Sequence, residues 1–355
     1  MSGLGQRYED TLYYPTLKRV LPGPYGDRLL VALVKGLAPA DVAARSEVLA
    51  HAFGVLAVRV STVMPGWVCL DLLTSDPLAD VVAAPPIPDV ADLSGIVLGR
   101  TETGEDWRLP LLGSHVLLAG ATRAGKSSVL WGLLRGVAPA IADGSVRVWA
   151  VDPKVGMELA PGQALFTRFA ADDPVGMAAL LEDAVTVMRE RTVRLRGVTR
   201  LHEPTPLDPL VLVVVDEMAA LTAYAADRDV RKRVGAALSL LLTQGRAAGV
   251  LVVAAVQDPR KEVLPFRDLF PVRIALRLTE PEQVALVLGD GARDRGAACD
   301  RIPVSQPGVG FVLLDGHPEP VRVRAAYVDD TAITTLARDY PATTARPDAS
   351  LEVVS

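Results

Sequence analysis

An α/β sheet covered by helices on both faces is the fold class the sequence predicts, with a small α+β domain ahead of it. Three observations carry that prediction. The runs His115 to Ala119, Val146 to Val151, Leu210 to Val215, Val250 to Val256 and Val272 to Leu278 are almost continuously apolar, as strands of a parallel sheet buried on both faces must be. Segments with helical character, Lys126 to Arg135, Pro174 to Arg196 and Arg228 to Arg246, lie between the first four of them, and this alternation builds parallel sheets. A glycine-rich turn, Gly120 to Ser127, joins the first of these strands to the first of these helices.

Ahead of that region, Leu29 to Val34 is an apolar segment, followed by APADVAARSEVLAHAFG. There Pro39 suits a first helical turn and apolar residues recur at helical spacing, so a helix ending at Gly54 is predicted. Val55 to Thr62 and Trp67 to Leu73 flank the turn Val63-Met64-Pro65-Gly66, a strand, turn, strand pattern. Residues 1–75 therefore read as the small α+β domain. From Asp76 to Asp92 no period survives and Pro77, Pro85, Pro86 and Pro88 accumulate, which predicts a linker over residues 76–94. Residues 95–330 form the large domain, and 331–355 read as an Ala-, Thr- and Asp-rich tail. No internal repeat at solenoid periods is present.

The chain has 355 residues, enough for about two domains at roughly 150 residues each. Half of the residues are apolar and mean hydropathy is +0.28, so a membrane span has to be tested first. The longest apolar runs end in acids, Gln or Gly far short of the roughly 20 residues a spanning helix needs. Met1 to Tyr14 carries Arg7, Glu9 and Asp10 and lacks the apolar core of a secretory signal. Only Cys69 and Cys299 are present, far apart and without His at ligand spacing, which points to a reducing, cytoplasmic setting. A net charge of −5 argues against a surface coated non-specifically by nucleic acid. It leaves room for DNA inside a ring, where a few groups per subunit act together.

Gly120-Ala121-Thr122-Arg123-Ala124-Gly125-Lys126-Ser127 satisfies G-x-x-x-x-G-K-[ST] between a strand and a helix. Glycines let backbone N–H groups close around phosphates, and the helix N-terminus adds partial positive charge. This P-loop, with Ser128 following, is expected to bind ATP, Lys126 reaching the β- and γ-phosphates and Ser127 reaching Mg²⁺. PLVLVVVDEMAAL is an apolar strand ending in Asp216 and Glu217, and a parallel sheet delivers strand ends to one edge. Asp216 is thus the expected acid of the Mg²⁺ site and Glu217 the general base for water. Gln257 ends the next apolar strand at the same edge, placed to sense the γ-phosphate or orient water. Asp152 and Lys154 reach that edge too, but topology assigns them no task.

P-loops serve many kinds of machine, so the motif leaves the work undefined. No NKxD-like guanine reader is present, and an Asp-Glu pair after the third strand resembles the RecA-like, additional-strand ATPases that act as rings. The segments HVLLAGATRAGKSSVLWGLL, VWAVDPKVGMEL, LVLVVVDEMAAL, TQGRAAGVLVVAAVQDP and FPVRIALRLTEPEQVALVLGDGA together resemble, in order, the motor of the FtsK/SpoIIIE family of DNA translocases, from about Leu112 to Val312. The lead-in VRVSTVMPGWVCLDLLTSDPLA resembles the transfer (Tra) proteins of actinobacterial plasmids and integrative elements. The resemblance implies an ATPase that moves double-stranded DNA as a homo-oligomer, a hexameric ring, with peripheral membrane association at the septum or cell pole and no integral span. It implies that Gly120, Gly125, Lys126, Ser127, Asp216, Glu217 and Gln257 form one subunit's ATP site. It also implies an arginine finger from a neighbour, for which Arg273 in FPVRIAL matches best and Arg246 in GRAAG is the second candidate.

Two departures from the family pattern stand out. Arg123-Ala124 replaces the usual small residues before Gly125, and after Val328 too few residues follow for the winged helix of the cell-division members. The helix bearing Arg189, Arg191, Arg194, Arg196 and Arg200 is the most basic stretch, but its arginines fall on several faces and read as solvated rather than as a DNA surface. Competing readings are a chromosome-partitioning translocase, a type VII-like secretion ATPase that moves protein, and an ATP-binding assembly switch.

Overall fold

The computed structural model describes residues 4–260 and 265–343, which divide into two compact units. The first comprises the described residues up to Asp80 together with Arg100–Glu105. Its antiparallel sheet runs in the order Thr16–Gly23, Gly26–Ala32, Trp67–Leu73, Ala57–Met64, preceded by a hairpin of Gln6–Tyr8 and Thr11–Tyr13. Leu29, Val31, Val58, Val68, Leu70 and Leu72 of the sheet pack with Val42, Leu49 and Ala50 of two short helices. The single helix expected to end at Gly54 is in fact Pro39–Ala43 and Ser46–Phe53. The Ser46 hydroxyl donates to the Ala43 carbonyl at the break, a side-chain bond that competes with helix continuation. Gly54, at φ +66°, closes the second helix in the left-handed conformation that glycine adopts without strain.

The second unit is an α/β sheet with strand order Phe166–Ala170, Val146–Val151, Leu210–Val215, Val250–Val256, Val116–Ala119, Val272–Leu276, Val309–Leu314, Val321–Tyr327, Ile96–Thr101, Asp106–Leu109. The first six are parallel. The strands read as parallel from the sequence are parallel, and beyond them the sheet is mixed: Val309–Leu314 runs antiparallel to Val272–Leu276 and to Val321–Tyr327, and Val82–Ala83 adds to the latter. Every residue of Leu210–Val215 and Val250–Val256 is buried, which is why those runs carry no polar residue. Leu210, Leu212 and Val214 share a core with Val129, Leu133, Val137 and Ile141 of the helix Lys126–Ala142. The helices Pro174–Leu195 and Arg228–Gln244 pack on each other and on the central strands.

Three sequence expectations change. The helix after the P-loop runs to Ala142, through Gly136 and Pro139. Gly136 is required there, since a Cβ would stand 2.3 Å from Ile96 Cγ2. The stretch read as a linker is packed rather than free: Ala84, Ile87, Ala91 and Leu93 lie on the main core, and Arg135 donates to the Pro85 carbonyl at 3.0 Å. The stretch read as a tail begins with the helix Asp330–Asp339, capped by Asp329 and burying Ile333, Leu336 and Ala337; residues 344–355 lie outside the described residues. Among the described residues no helix is long and apolar enough to cross a membrane.

Candidate nucleotide site

Val116–Ala119 lies between two parallel strands, so the loop that follows is anchored on both sides. Gly120 N–H donates to the Val256 carbonyl at 3.1 Å and Ala121 N–H to the Arg277 carbonyl at 2.9 Å. Arg277 also donates through Nη2 to the Thr122 carbonyl at 2.7 Å. Arg123 is left-handed at φ +61° and Gly125 lies at +101°, so the loop curls around its own amides. No side chain caps the helix that begins at Lys126. The first amides of a helix have no partner within it, and that end carries partial positive charge, so an anion is the complementary ligand.

Lys126 is buried, and its Nζ donates to the Gly120 carbonyl at 2.7 Å. Burial lowers its ammonium to about 8, against the pull of Glu217 and Asp216. A desolvated cation at the mouth of a loop of amides favours a phosphate. The Ser127 hydroxyl donates to Glu158 Oε2 at 2.8 Å.

Asp216 and Glu217 follow directly on Val215 and are 3% and 7% exposed. Burial raises both carboxyls above their ordinary values, with Lys154 pulling the other way. Lys154 Nζ stands 2.7 Å from Asp216 Oδ2 and 3.9 Å from Glu217 Oε2. Burial lowers the Lys154 ammonium, but its hydrogen bond and attraction to Asp216 outweigh this and leave it raised. Glu217 Oε1 accepts the Gln257 N–H at 3.2 Å, and Gln257 Oε1 accepts the Thr122 hydroxyl at 3.4 Å. The structure therefore brings the predicted acids, the glutamine and the loop to one sheet edge.

Asp152, given no task by topology, organises the turn beyond its strand. Its fully buried carboxylate accepts the N–H groups of Lys154 at 2.9 Å and of Glu158 and Leu159 at 3.0 Å each. A cavity of about 350 Å³ results, lined on one side by Thr122 to Ser128, Lys154, Glu158, Asp216 and Gln257. Val81, Pro307, Gly308, Arg324, Ala325 and Tyr327, in or next to the antiparallel part of the sheet, complete the lining. Gly120, Ala121 and Glu217 are not among the residues that line this cavity. Glu158, Arg277 and Arg324 are site residues that sequence reasoning missed. The signal for Arg324 was the Asp315-Gly316 turn between an apolar run and the alternating Val321 to Ala325.

Among the described residues no group of three His, Cys, Asp or Glu side chains could hold a metal alone. Mg²⁺ bound with a nucleotide takes most of its ligands from phosphate and water and needs few from protein. The Ser127 hydroxyl and the Asp216 carboxylate fit that requirement. Neither arginine candidate lines the cavity of its own chain. Arg273 is half-buried on its strand, opposite Leu117 and Leu313, with Nε lacking a hydrogen-bond partner among the described residues. Arg246 precedes its strand, at the sheet edge away from the loop, and donates to the Gly113 carbonyl at 2.7 Å. Arg191, expected to be solvated, is buried instead and donates to the carbonyls of Ala248, Gly249 and Pro209.

Comparison with known proteins gives two family matches. Residues 3–74 match the actinomycete conjugal transfer protein N-terminal domain, and residues 91–201 match the FtsK/SpoIIIE family. The transfer protein TraSA of Streptomyces ambofaciens is 29% identical over 334 residues, covering 88% of this chain and 79% of that protein. The DNA translocase FtsK of Vibrio vulnificus is 24% identical, covering 95% of this chain but only 37% of its own length. Among solved structures, the pCW3 conjugation coupling protein TcpA superposes with a TM-score of 0.63 at 18% identity, covering 92% of this chain and 93% of that one. The cytoplasmic domain of the Thermomonospora curvata type VII secretion ATPase EccC gives 0.57 at 22% identity, covering 77% of this chain and 33% of that one. At these identities the two structures establish the fold, a P-loop ATPase sheet.

Proposed function

We propose, from the match of residues 91–201 to the FtsK/SpoIIIE family, that the chain is a member of that family and hydrolyses ATP to move double-stranded DNA, in the conjugative transfer of a plasmid or integrative element. The observation that carries this reading is the pairing of a conjugal-transfer N-terminal domain at residues 3–74 with a motor whose P-loop, acid pair and glutamine meet at one sheet edge. The same pairing favours DNA over the protein cargo of the type VII ATPases that share the fold.

In this reading the loop amides from Thr122 to Ser128 receive the phosphates, and Lys126 turns from the Gly120 carbonyl to the β- and γ-phosphates. Ser127 and Asp216 are the residues that would hold Mg²⁺, and the ion would supply charge neutralisation for phosphoryl transfer. Glu217, its carboxyl raised by burial toward the working pH, accepts the proton of the attacking water. Gln257, tethered to Thr122, orients that water. The family resemblance implies an arginine from a neighbouring subunit of a homo-oligomeric ring, a hexamer, with Arg273 preferred, and neither Arg273 nor Arg246 lines the cavity of its own chain, whereas Arg123 and Arg324 do. DNA runs through the ring, which works in the cytoplasm with peripheral membrane association.

Displacement of a third strand from duplex DNA tests this. With ATP and Mg²⁺ the protein should strip a triplex-forming oligonucleotide from a long duplex, and with ATPγS it should not. No displacement under any nucleotide would refute translocation.

A further inference from the structure

Between Val151 and the short turn Ala160–Leu165 the chain folds back so that Lys154 and Glu158 line the nucleotide cavity, while Val155 and Met157 stand 73% and 83% exposed. Asp152 holds this turn from inside through three backbone N–H groups. Val155 sits at φ +60° and Gly156 at +80°. A β-branched residue in the left-handed region is a genuine outlier, and such conformations persist only where the surroundings impose them. What the conformation achieves is visible at the cavity: Lys154 lands on Asp216 at 2.7 Å and Glu158 on Ser127 at 2.8 Å. One loop thus contacts both groups assigned to the metal.

A hydroxyl that ligates a cation must turn a lone pair to the ion, so its hydrogen needs an acceptor on the far side. Asp216 is the acid nearest in role, yet its Oδ2 is engaged by Lys154. The Ser127 hydrogen goes to Glu158 instead. We infer that Glu158 is a positioning residue of the Mg²⁺ site, accepting a hydrogen bond from the Ser127 hydroxyl so that the hydroxyl oxygen faces the metal, while Lys154 fixes Asp216 and balances the added carboxylate. The inference rests on the nucleotide site proposed above and extends it to a loop that the glycine-rich motif does not include. Removing an outer partner of a ligand typically weakens metal binding by roughly 10- to 100-fold.

The test is Mg²⁺ dependence of ATPγS binding by the full chain, measured by titration at fixed nucleotide and again in EDTA. Glu158→Gln should raise the Mg²⁺ concentration for half-maximal binding by roughly tenfold or more. Affinity in EDTA should hold or rise, because a negative charge beside the phosphates is removed. Glu158→Asp, which keeps the charge but withdraws it, should shift the Mg²⁺ dependence in the same direction by less, and it serves if the glutamine variant does not fold. On a Ser127→Ala background Glu158→Gln should add no further shift, since the hydroxyl it acts through is gone. An unchanged Mg²⁺ dependence, an equal loss with and without Mg²⁺, or a full additional shift on the Ser127→Ala background would each overturn the inference. Failure of the wild-type chain to bind ATPγS at all would instead refute the nucleotide site.

Discussion

Gly125 and Gly308 are packed backbone to backbone. A Cβ on Gly125 would stand 2.5 Å from the Gly308 nitrogen and 2.8 Å from its Cα, and Gly308 N–H donates to the Ala124 carbonyl at 2.8 Å. The last glycine of the phosphate loop is thus set against the antiparallel edge of the sheet, so the parallel half alone does not shape the site. Gly125→Ala adds both a clash with backbone and an unfavourable φ of +101°. It should lower ATPγS affinity at least about tenfold, a loss near 1.4 kcal/mol. Equal affinity by calorimetry would mean the loop does not need this contact.

The Lys126 ammonium gives a pH prediction. Burial lowers it from 10.5 to about 8, and a bound phosphate should return it toward its ordinary value. Below about pH 8 the lysine is already charged and affinity should be flat; above it, binding must take up a proton. Affinity should then fall by about tenfold per pH unit as pH rises toward 10.5. Calorimetry in buffers of different ionisation heat should find uptake approaching one proton at pH 9 and close to none at pH 7. Proton release at pH 9 would contradict the assignment.

Glu217 and the trans arginine separate by mixing. Glu217→Ala should retain ATPγS binding and lose turnover by roughly 10²- to 10⁴-fold, the range of a general base. Arg273→Ala should lose turnover similarly. Mixed together, the two variants should regain part of the activity, because some interfaces then carry both intact residues. If only Arg246→Ala behaves this way, the finger is Arg246.

The arginine-rich helix makes a stability prediction. Arg191 is 7% exposed, bonded to three carbonyls and 3.2 Å from Asp208. Arg191→Met should cost about 3 kcal/mol in guanidinium unfolding, as removing one partner of a buried ion pair does, whereas the exposed Arg189→Ala should stay within about 0.5 kcal/mol. A stable Arg191→Met with weakened DNA binding would turn this helix into a DNA surface.

Among the central strands Leu210–Val215 and Val250–Val256 were legible to the residue, because burial on both faces leaves no polar residue to blur their ends, and Val146–Val151 was legible despite Arg147. The antiparallel edge was not. Val321–Tyr327 alternates Arg322 and Arg324 with apolar residues, and Ile96–Thr101 ends in Arg100 and Thr101, so neither stands out as an apolar run. The helix Asp330–Asp339 was hidden by its threonines, although Asp329 and the spacing of Ile333, Leu336 and Ala337 mark it. At the site, the loop, the acids and Gln257 follow from strand topology. Glu158 does not, because a buried carboxylate six residues earlier, Asp152, sets where that side chain points. Arg324 reaches the cavity from a strand nearly 200 positions after the P-loop, a juxtaposition that only the folded sheet reveals.

ATP turnover of the purified chain with no polymer, with double-stranded DNA, with single-stranded DNA and with candidate protein substrates tests the central claim most directly, with Lys126→Ala as the control that should be inactive throughout. The account predicts strong stimulation by double-stranded DNA alone; turnover indifferent to DNA, or raised by protein instead, would contradict it.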